Sequence, residues 1–269
     1  MNNIGQTYFD IGRMDTLARV DSVLHRLDPR AKLITTLCFI LAVVSFDKYA
    51  ISALTPFFLY PMILIVLGRL PVGYILKKVL IASPFAVLIG IFNPLIDTAI
   101  LVRLGPVAIS GGWISFISIL LRFVLTVSAA LSLVALTGFN AVCQALIKLG
   151  VPRYFALQLL FFYRYVFVLS DEVERMIRAR ALRSFRSSAM GLSLFTAFAG
   201  QLLMRALDRA ERIYMAMCCR GFDGHIRMIK AMSIRQVDIF FILFWLTIFI
   251  FLRCINVPLW LGGVLIGAW

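Results

Sequence analysis

The chain has 269 residues, 62% of them hydrophobic and 15% charged, with a mean hydropathy of +0.95. Soluble domains run about 45–50% apolar and about 25% charged, and a disordered chain needs low hydrophobicity, so both classes are excluded. The 27 Lys and Arg against 13 Asp and Glu leave a net +14, an excess that fits an anionic membrane face, an acidic protein partner or nucleic acid. These figures read as a polytopic helical membrane protein, and with the pattern along the chain the expected fold class is all-α with a cytoplasmic amphipathic coupling-helix region.

Residues 1–30 hold four Arg and no apolar core run, so membrane insertion is expected to be led by the first span. Asp28-Pro29 reads as an N-cap followed by proline at the first helical position, a structural cap that opens this span. Arg30 and Lys32 are then expected at the cytoplasmic interface as snorkelling anchors. The first apolar run is 33–46, and a second, 49–67, is broken by Pro56 and Pro61. A third runs over about 79–100 and a fourth over 113–139, long enough to span with tilt. Asp97 and Arg122 lie inside these runs and are expected to snorkel. Ser128, Ala129 and Ser132 have close-packing spacing, toward either a partner subunit or a neighbouring helix.

After Asn140 the texture changes. Residues 140–236 mix apolar stretches with dense Arg, and apolar runs return at 237–252 and 257–269. The domain reading is therefore 1–139 for about four membrane helices, 140–236 for a cytoplasmic coupling region, and 237–269 for C-terminal membrane segments. Lys and Arg alternate between rich and poor connections: five in the first 32 residues, one at 47–48, three at 68–78, one at 101–112 and fifteen at 140–236. The positive-inside rule puts the N-terminus, 68–78 and 140–236 in the cytoplasm. No internal repeat is visible, which counts against an inverted-repeat transporter.

Two helices are legible in the charged region. Over 205–221, Ala206, Ala210, Ile213, Tyr214, Met217 and Gly221 fall within an arc of about 100°, with Arg205, Arg209, Arg212 and Arg220 opposite. Gly221 suits a helix stop, with Arg220 at the negative helix end. Over 171–186, Val173, Met176, Ile177 and Ser184 share an apolar arc into which Arg180 projects, with Arg183 at its edge. A desolvated Arg needs a partner, either water reached by snorkelling or a carboxylate or carbonyl on a docked protein. Asp171–Arg175, Glu174–Arg178 and Asp208–Arg212 are acid-first i,i+4 pairs. Each helix contains an Arg followed by a small residue, Arg183-Ser184 and Arg220-Gly221.

At these residues the chain resembles the transmembrane T component of energy-coupling factor transporters, most closely the CbiQ type of cobalt importers. The resemblance is carried by His25-Arg-Leu-Asp-Pro-Arg-Ala-Lys32, Tyr163-Arg-Tyr165 with Asp171-Glu172, Arg178-Ala-Arg-Ala-Leu-Arg-Ser-Phe185, and Arg209-Ala-Glu-Arg-Ile-Tyr-Met-Ala-Met-Cys-Cys-Arg-Gly-Phe-Asp-Gly224. It implies a non-catalytic permease subunit in a bacterial or archaeal cytoplasmic membrane, serving cobalt uptake for cobalamin biosynthesis, with nickel or a vitamin as alternative cargo. It also implies two cytoplasmic ATPase subunits that bind the ATP, a CbiM-like substrate-binding membrane subunit, and a small accessory membrane subunit. Its ATPase-docking motifs map to Leu182-Arg183-Ser184 and Cys219-Arg220-Gly221, with Arg180, Arg205, Arg209 and Arg212 in support. Both motifs depart from an Ala-Arg-Gly form at the first position, and the first has Ser184 in place of Gly.

The residues agree on what is missing. There is no G-x-x-x-x-G-K-[ST] loop for ATP, and His25 and His225 are too far apart for an H-x-x-x-H metal motif. The five Cys hold no C-x-x-C pair and read as small packing residues. No cofactor is expected on this chain. A polytopic membrane enzyme acting on an anionic lipid or phosphate is the alternative of another class, and it lacks a clustered acid–base or nucleophile constellation. A nucleic-acid role is disfavoured because the aromatics fall in apolar runs. Residues 140–236 hold fifteen basic and six acidic residues, a net +9, so most of the excess belongs to one module.

Overall fold

A computed structural model of the chain describes residues 22–96, 100–104, 107–183, 192–223 and 233–254, with residues 14, 17, 18 and 20. In chain order the elements are α1 (Pro29–Val44), α2 (Ile51–Leu54), a 3-10 turn (Thr55–Phe58), α3 (Leu59–Leu67), α4 (Val72–Gly90), α5 (Phe92–Ile96), β1 (Ile100–Leu104), β2 (Val107–Ser110), α6 (Gly111–Thr137), α7 (Phe139–Lys148), α8 (Arg153–Arg183), α9 (Leu192–Cys219) and α10 (Gln236–Cys254). The class is all-α and multi-pass, with one small antiparallel hairpin in which Ile100 faces Ser110 and Leu104 faces Val107. Val72–Pro94, α6 and α10 are each long and apolar enough to cross a membrane. The chain divides into two compact units, one between Gly150 and Ala231 and the other made of the described residues on either side.

In the flanking unit, α1 starts as its sequence dictates. Asp28 is the N-cap, its Oδ1 accepting the Arg30 N–H at 2.9 Å, and Pro29 follows inside the first turn. One face of α1 buries Lys32, Thr35, Thr36, Phe39 and Val43, while Leu37 and Leu41 point outward. Around Phe39 lies an aromatic knot. Its ring stacks on Tyr60 at 4.6 Å and meets Phe249 at 5.5 Å, and Tyr60 meets Trp245 edge-on at 4.8 Å. Such pairs are worth about 0.5–1.5 kcal/mol each beyond their buried area. The Tyr60 hydroxyl is not left stranded: it lies 2.8 Å from Thr36 Oγ1.

Polar contacts at the two ends of α1 set the helix directions. At its start, the Asp28 N–H donates to Asp238 Oδ1 at 2.8 Å, and the Arg235 N–H donates to Asp238 Oδ2 at 2.8 Å. Lys32 Nζ donates to the Leu136 carbonyl at 3.2 Å, near the end of α6. At the finish of α1, Arg253 donates to the Ser45 carbonyl at 3.1 Å and sits 4.5 Å from the Phe46 ring centre, while Arg122 donates to the Asp47 carbonyl. So α1 and α10 run parallel, with α6 antiparallel to both. The turn after α3 shares the end marked by Leu136. A Cβ on Gly68 would come within 2.4 Å of Leu136 Cδ2, so only glycine lets the turn approach α6.

Several expectations change. Lys32 is no snorkelling anchor: it is 3% exposed and its ammonium is used inside the bundle, in the field of Asp28 and Asp238. Arg122 is likewise spent on a loop carbonyl. Ser128, Ala129 and Ser132 are buried within this chain's own bundle, which settles that they face neighbouring helices. The third membrane helix begins at Val72, so Lys77 and Lys78 ride on α4, because nothing between Pro71 and Pro84 interrupts helix formation. Residues 139–148 form α7, whose Cys143 and Ala145 are buried; the compact charged unit starts at Gly150 instead of 140. Asp97 and the run 257–269 lie outside the described residues.

Asp238→Ala would leave two N–H donors, one buried and one part-buried, without an acceptor. It is expected to cost about 2–4 kcal/mol, seen as earlier unfolding in a thermal melt of the detergent-solubilised protein. Asp238→Asn, which keeps one acceptor oxygen, is expected to lose about half as much.

Candidate functional site

The Gly150–Ala231 unit is built on two long helices. α8 has 31 residues and α9 has 28, so both begin well before the charged stretches that mark them in the sequence. On α9 the half-buried residues are Phe198, Leu202, Ala206, Ile213 and Met217, one face of a helix with a period near 3.6. On α8 the buried Met176 lies between the half-buried Val173 and Ile177.

Two contacts fix the register. Arg205 forms an ion pair with Glu172, and the Arg180 guanidinium lies 6.0 Å from the centre of the Phe198 ring. As one contact moves toward the end of α8, its partner moves toward the start of α9, so the helices are antiparallel. Arg180 thus answers its desolvation inside the chain, on an aromatic face, a contact worth about 0.5–1 kcal/mol at such a site. Neither Phe198 nor the 33-residue reach from Glu172 to Arg205 shows in local spacing. The half-buried face of α9 is the pattern that leads to Phe198.

The local ion pairs are only partly those the spacing predicts. Glu174 and Arg178 pair at 3.1 Å. Arg175 instead lies 3.9 Å from the Glu172 carboxylate and donates to the Asp171 carbonyl at 3.4 Å. Asp208 and Arg212 form no ion pair among the described residues. Both are solvent-exposed, where a pair gains little against its own side-chain entropy.

The two arginine tips are set apart. Arg183 is the exposed last residue of α8, and the preceding Leu182 is 88% exposed. At the end of α9, Gly221 has φ +75°. The Phe222 N–H bonds to the Met217 carbonyl at 3.0 Å and the Gly221 N–H to the Cys218 carbonyl at 3.0 Å, the paired closure of a glycine-stopped helix. Arg220 is exposed directly before that stop. No carboxylate pairs with Arg183 or Arg220 among the described residues. Ser184 lies outside them. With an antiparallel register and 1.5 Å rise per residue, the two tips sit on the order of 30–40 Å apart at opposite ends of the helix pair.

Arg209 and Arg212 take a third position. With Leu169, Glu172, Arg205, Ile213 and Ala216 they line an open groove of about 450 Å³ between the helices. Among the described residues no three His, Cys, Asp or Glu gather as a metal site.

Comparison with known proteins gives this arrangement a family. The family model of CbiQ, described as a cobalt transport protein, matches residues 21–231. The chain belongs to the CbiQ family. An energy-coupling factor transporter transmembrane protein EcfT from Heliobacterium modesticaldum is 32% identical over 228 residues, covering 78% of this chain and 84% of that protein. One from Brevibacillus brevis is 29% identical over 229 residues, covering 76% and 82%. An uncharacterized protein of Methanocaldococcus jannaschii is 30% identical over 236 residues, covering 84% and 80%. This CbiQ-family chain is thus a multi-pass transmembrane component of an energy-coupling factor transporter, a permease subunit and not an enzyme. The matched span takes in both the capped start of α1 and the two arginine tips.

Gly221→Ala forces a side chain into the left-handed region. It is expected to cost about 1–2 kcal/mol locally, read as faster amide exchange over 219–222 with the middle of α9 unchanged. The thiols supply a second check. Cys218 and Cys219 are exposed, whereas Cys143 is 1% exposed and burial pushes its thiol above the ordinary range. At mildly alkaline pH a maleimide is expected to label the α9 pair within minutes and to reach Cys143 only after denaturation.

Proposed function

We propose that this chain is the coupling subunit of an ATP-driven importer in the cytoplasmic membrane, joining two cytoplasmic ATPase subunits to a separate substrate-binding membrane subunit, with cobalt as the cargo. The observation that carries the reading is the pair of exposed arginine tips, Arg183 and Arg220. Both lie on long helices, neither is used by a carboxylate of the described chain, and their separation suits two docking partners better than one. The guanidinium fork matches a carboxylate bidentately, and the short turn at Gly221 leaves room for a partner surface. Arg205 and Arg180 support the tips from within by holding α8 against α9. The cargo follows from the family description, cobalt transport protein, and the transporter type from the relatives' printed names.

In this reading the cytoplasmic region is the Gly150–Ala231 unit, and ATP acts only on the partners. Closure of the ATPase pair moves the two tips. The chain re-enters the flanking helices at α7 and, through Arg235 and Asp238, at α10, so that motion reaches the membrane helices and reorients the substrate-binding subunit. A CbiM-like protein, with a small accessory membrane subunit, fits that role for a metal cargo.

The charge-reversed protein R183E/R220E is expected to lose co-purification with its ATPases, since like charges brought together at a buried contact cost several kcal/mol. Uptake of radiolabelled Co²⁺ by cells expressing the whole complex is expected to fall to background. Normal assembly and transport would sink the docking claim, and Ni²⁺ uptake without Co²⁺ uptake would overturn the cargo.

A further inference from the structure

The groove between α8 and α9 has a charge that the helix pair does not consume. Glu172 is the one acid that lines it, and it is engaged by Arg205, with Arg175 a further 3.9 Å away. Arg209 and Arg212 face the same groove, and no carboxylate pairs with them among the described residues. They are three residues apart on one helix face, about 4.5 Å of rise, which lets two guanidinium groups close on a single oxyanion. Beneath them the wall is apolar, formed by Leu169, Ile213 and Ala216.

That wall does not end at the groove. Phe155, Phe162 and Leu169 recur at seven-residue spacing along α8 and so lie within about 40° of one another around the helix. Phe162 is 67% exposed and Phe155 58% exposed. The three residues mark an apolar track of about 21 Å, longer than one leaflet of a hydrocarbon core about 30 Å thick. A free oxyanion would use the two arginines and leave the track bare. An acidic peptide would do the same. A molecule with a phosphate at one end and a chain at the other uses both, and anionic phospholipids supply it at the cytoplasmic leaflet.

We propose that the α8–α9 groove binds one anionic phospholipid, its phosphate bridged by Arg209 and Arg212 and one acyl chain lying along Leu169, Phe162 and Phe155. The site is separate from the arginine tips and does not depend on ATPase docking. Its consequence is that anionic lipid steadies the helix pair on which the tips are carried.

The test is native mass spectrometry of the full chain in detergent, titrated with phosphatidylglycerol or phosphatidylcholine. The variants are R209Q/R212Q in the groove, R183Q/R220Q as a control at the arginine tips, and R209K/R212K, which keeps both charges. The wild type and the control are expected to hold one phosphatidylglycerol at least about tenfold more tightly than phosphatidylcholine. The glutamine pair is expected to lose that preference and the lysine pair to keep most of it. A preference that survives in the glutamine pair overturns the proposal. So does equal loss in the control, loss in the lysine pair as well, or displacement of the lipid by an equal concentration of inorganic phosphate.

Discussion

A single buried carboxylate sets the architecture of the membrane unit. Asp238 accepts the backbone N–H of Asp28 with one oxygen and that of Arg235 with the other. It thereby binds the start of α10 to the start of α1 across 210 positions of sequence. A buried charge is tolerated only when its lone pairs are used and an opposite charge is near; the two N–H groups and the field of Lys32 meet both conditions. Once the starts are joined, the two helices run parallel. Phe39 and Tyr60 then meet Trp245 and Phe249, and Arg253 arrives beside Ser45 at the far end. The aromatic knot packs the helices together, but the carboxylate decides which ends meet.

The arginines show how one residue type takes different roles by position. Arg122 and Arg253 close loop carbonyls of the membrane unit. Arg205 and Arg180 join α8 to α9 through a carboxylate and an aromatic ring. Arg183 and Arg220 lie at helix ends in solvent, where an ion pair would add only about 0–1 kcal/mol to the fold. Charge placed there contributes little to folding and is available to a partner that desolvates it. Arg209 and Arg212 fall between these cases, exposed but lining the groove. A net +14 is therefore a sum over groups doing physically different things.

Much of this was legible before any coordinates. Asp28 before Pro29 marked the start of α1, because capping and a fixed proline φ act within one helical turn. Gly221 marked the end of α9 for the same local reason, its left-handed backbone. The prolines at 56 and 61 foretold the broken second segment, which becomes a short helix, a 3-10 turn and α3. Lys32 misled, since a lysine near an apolar run normally reaches water; its burial depends on a carbonyl 104 residues away. The pairing of Asp171 with Arg175 misled in a smaller way, because Glu172 is turned toward α9 and draws Arg175 toward itself.

By itself the sequence determined the class and the caps at Asp28 and Gly221, and it marked two arginine-bearing helices in the charged region. All of these follow from composition or from interactions within a few residues. Only the tertiary structure decided which helices run parallel, that Ser128, Ala129 and Ser132 are internal, that Arg180 rests on Phe198, and that Arg209 and Arg212 share a groove. Each of these depends on bringing distant segments into one register. That register is chosen by a few long-range polar contacts, the buried Asp28–Asp238 in one unit and the solvent-facing Glu172–Arg205 in the other, whose partners no local pattern reveals.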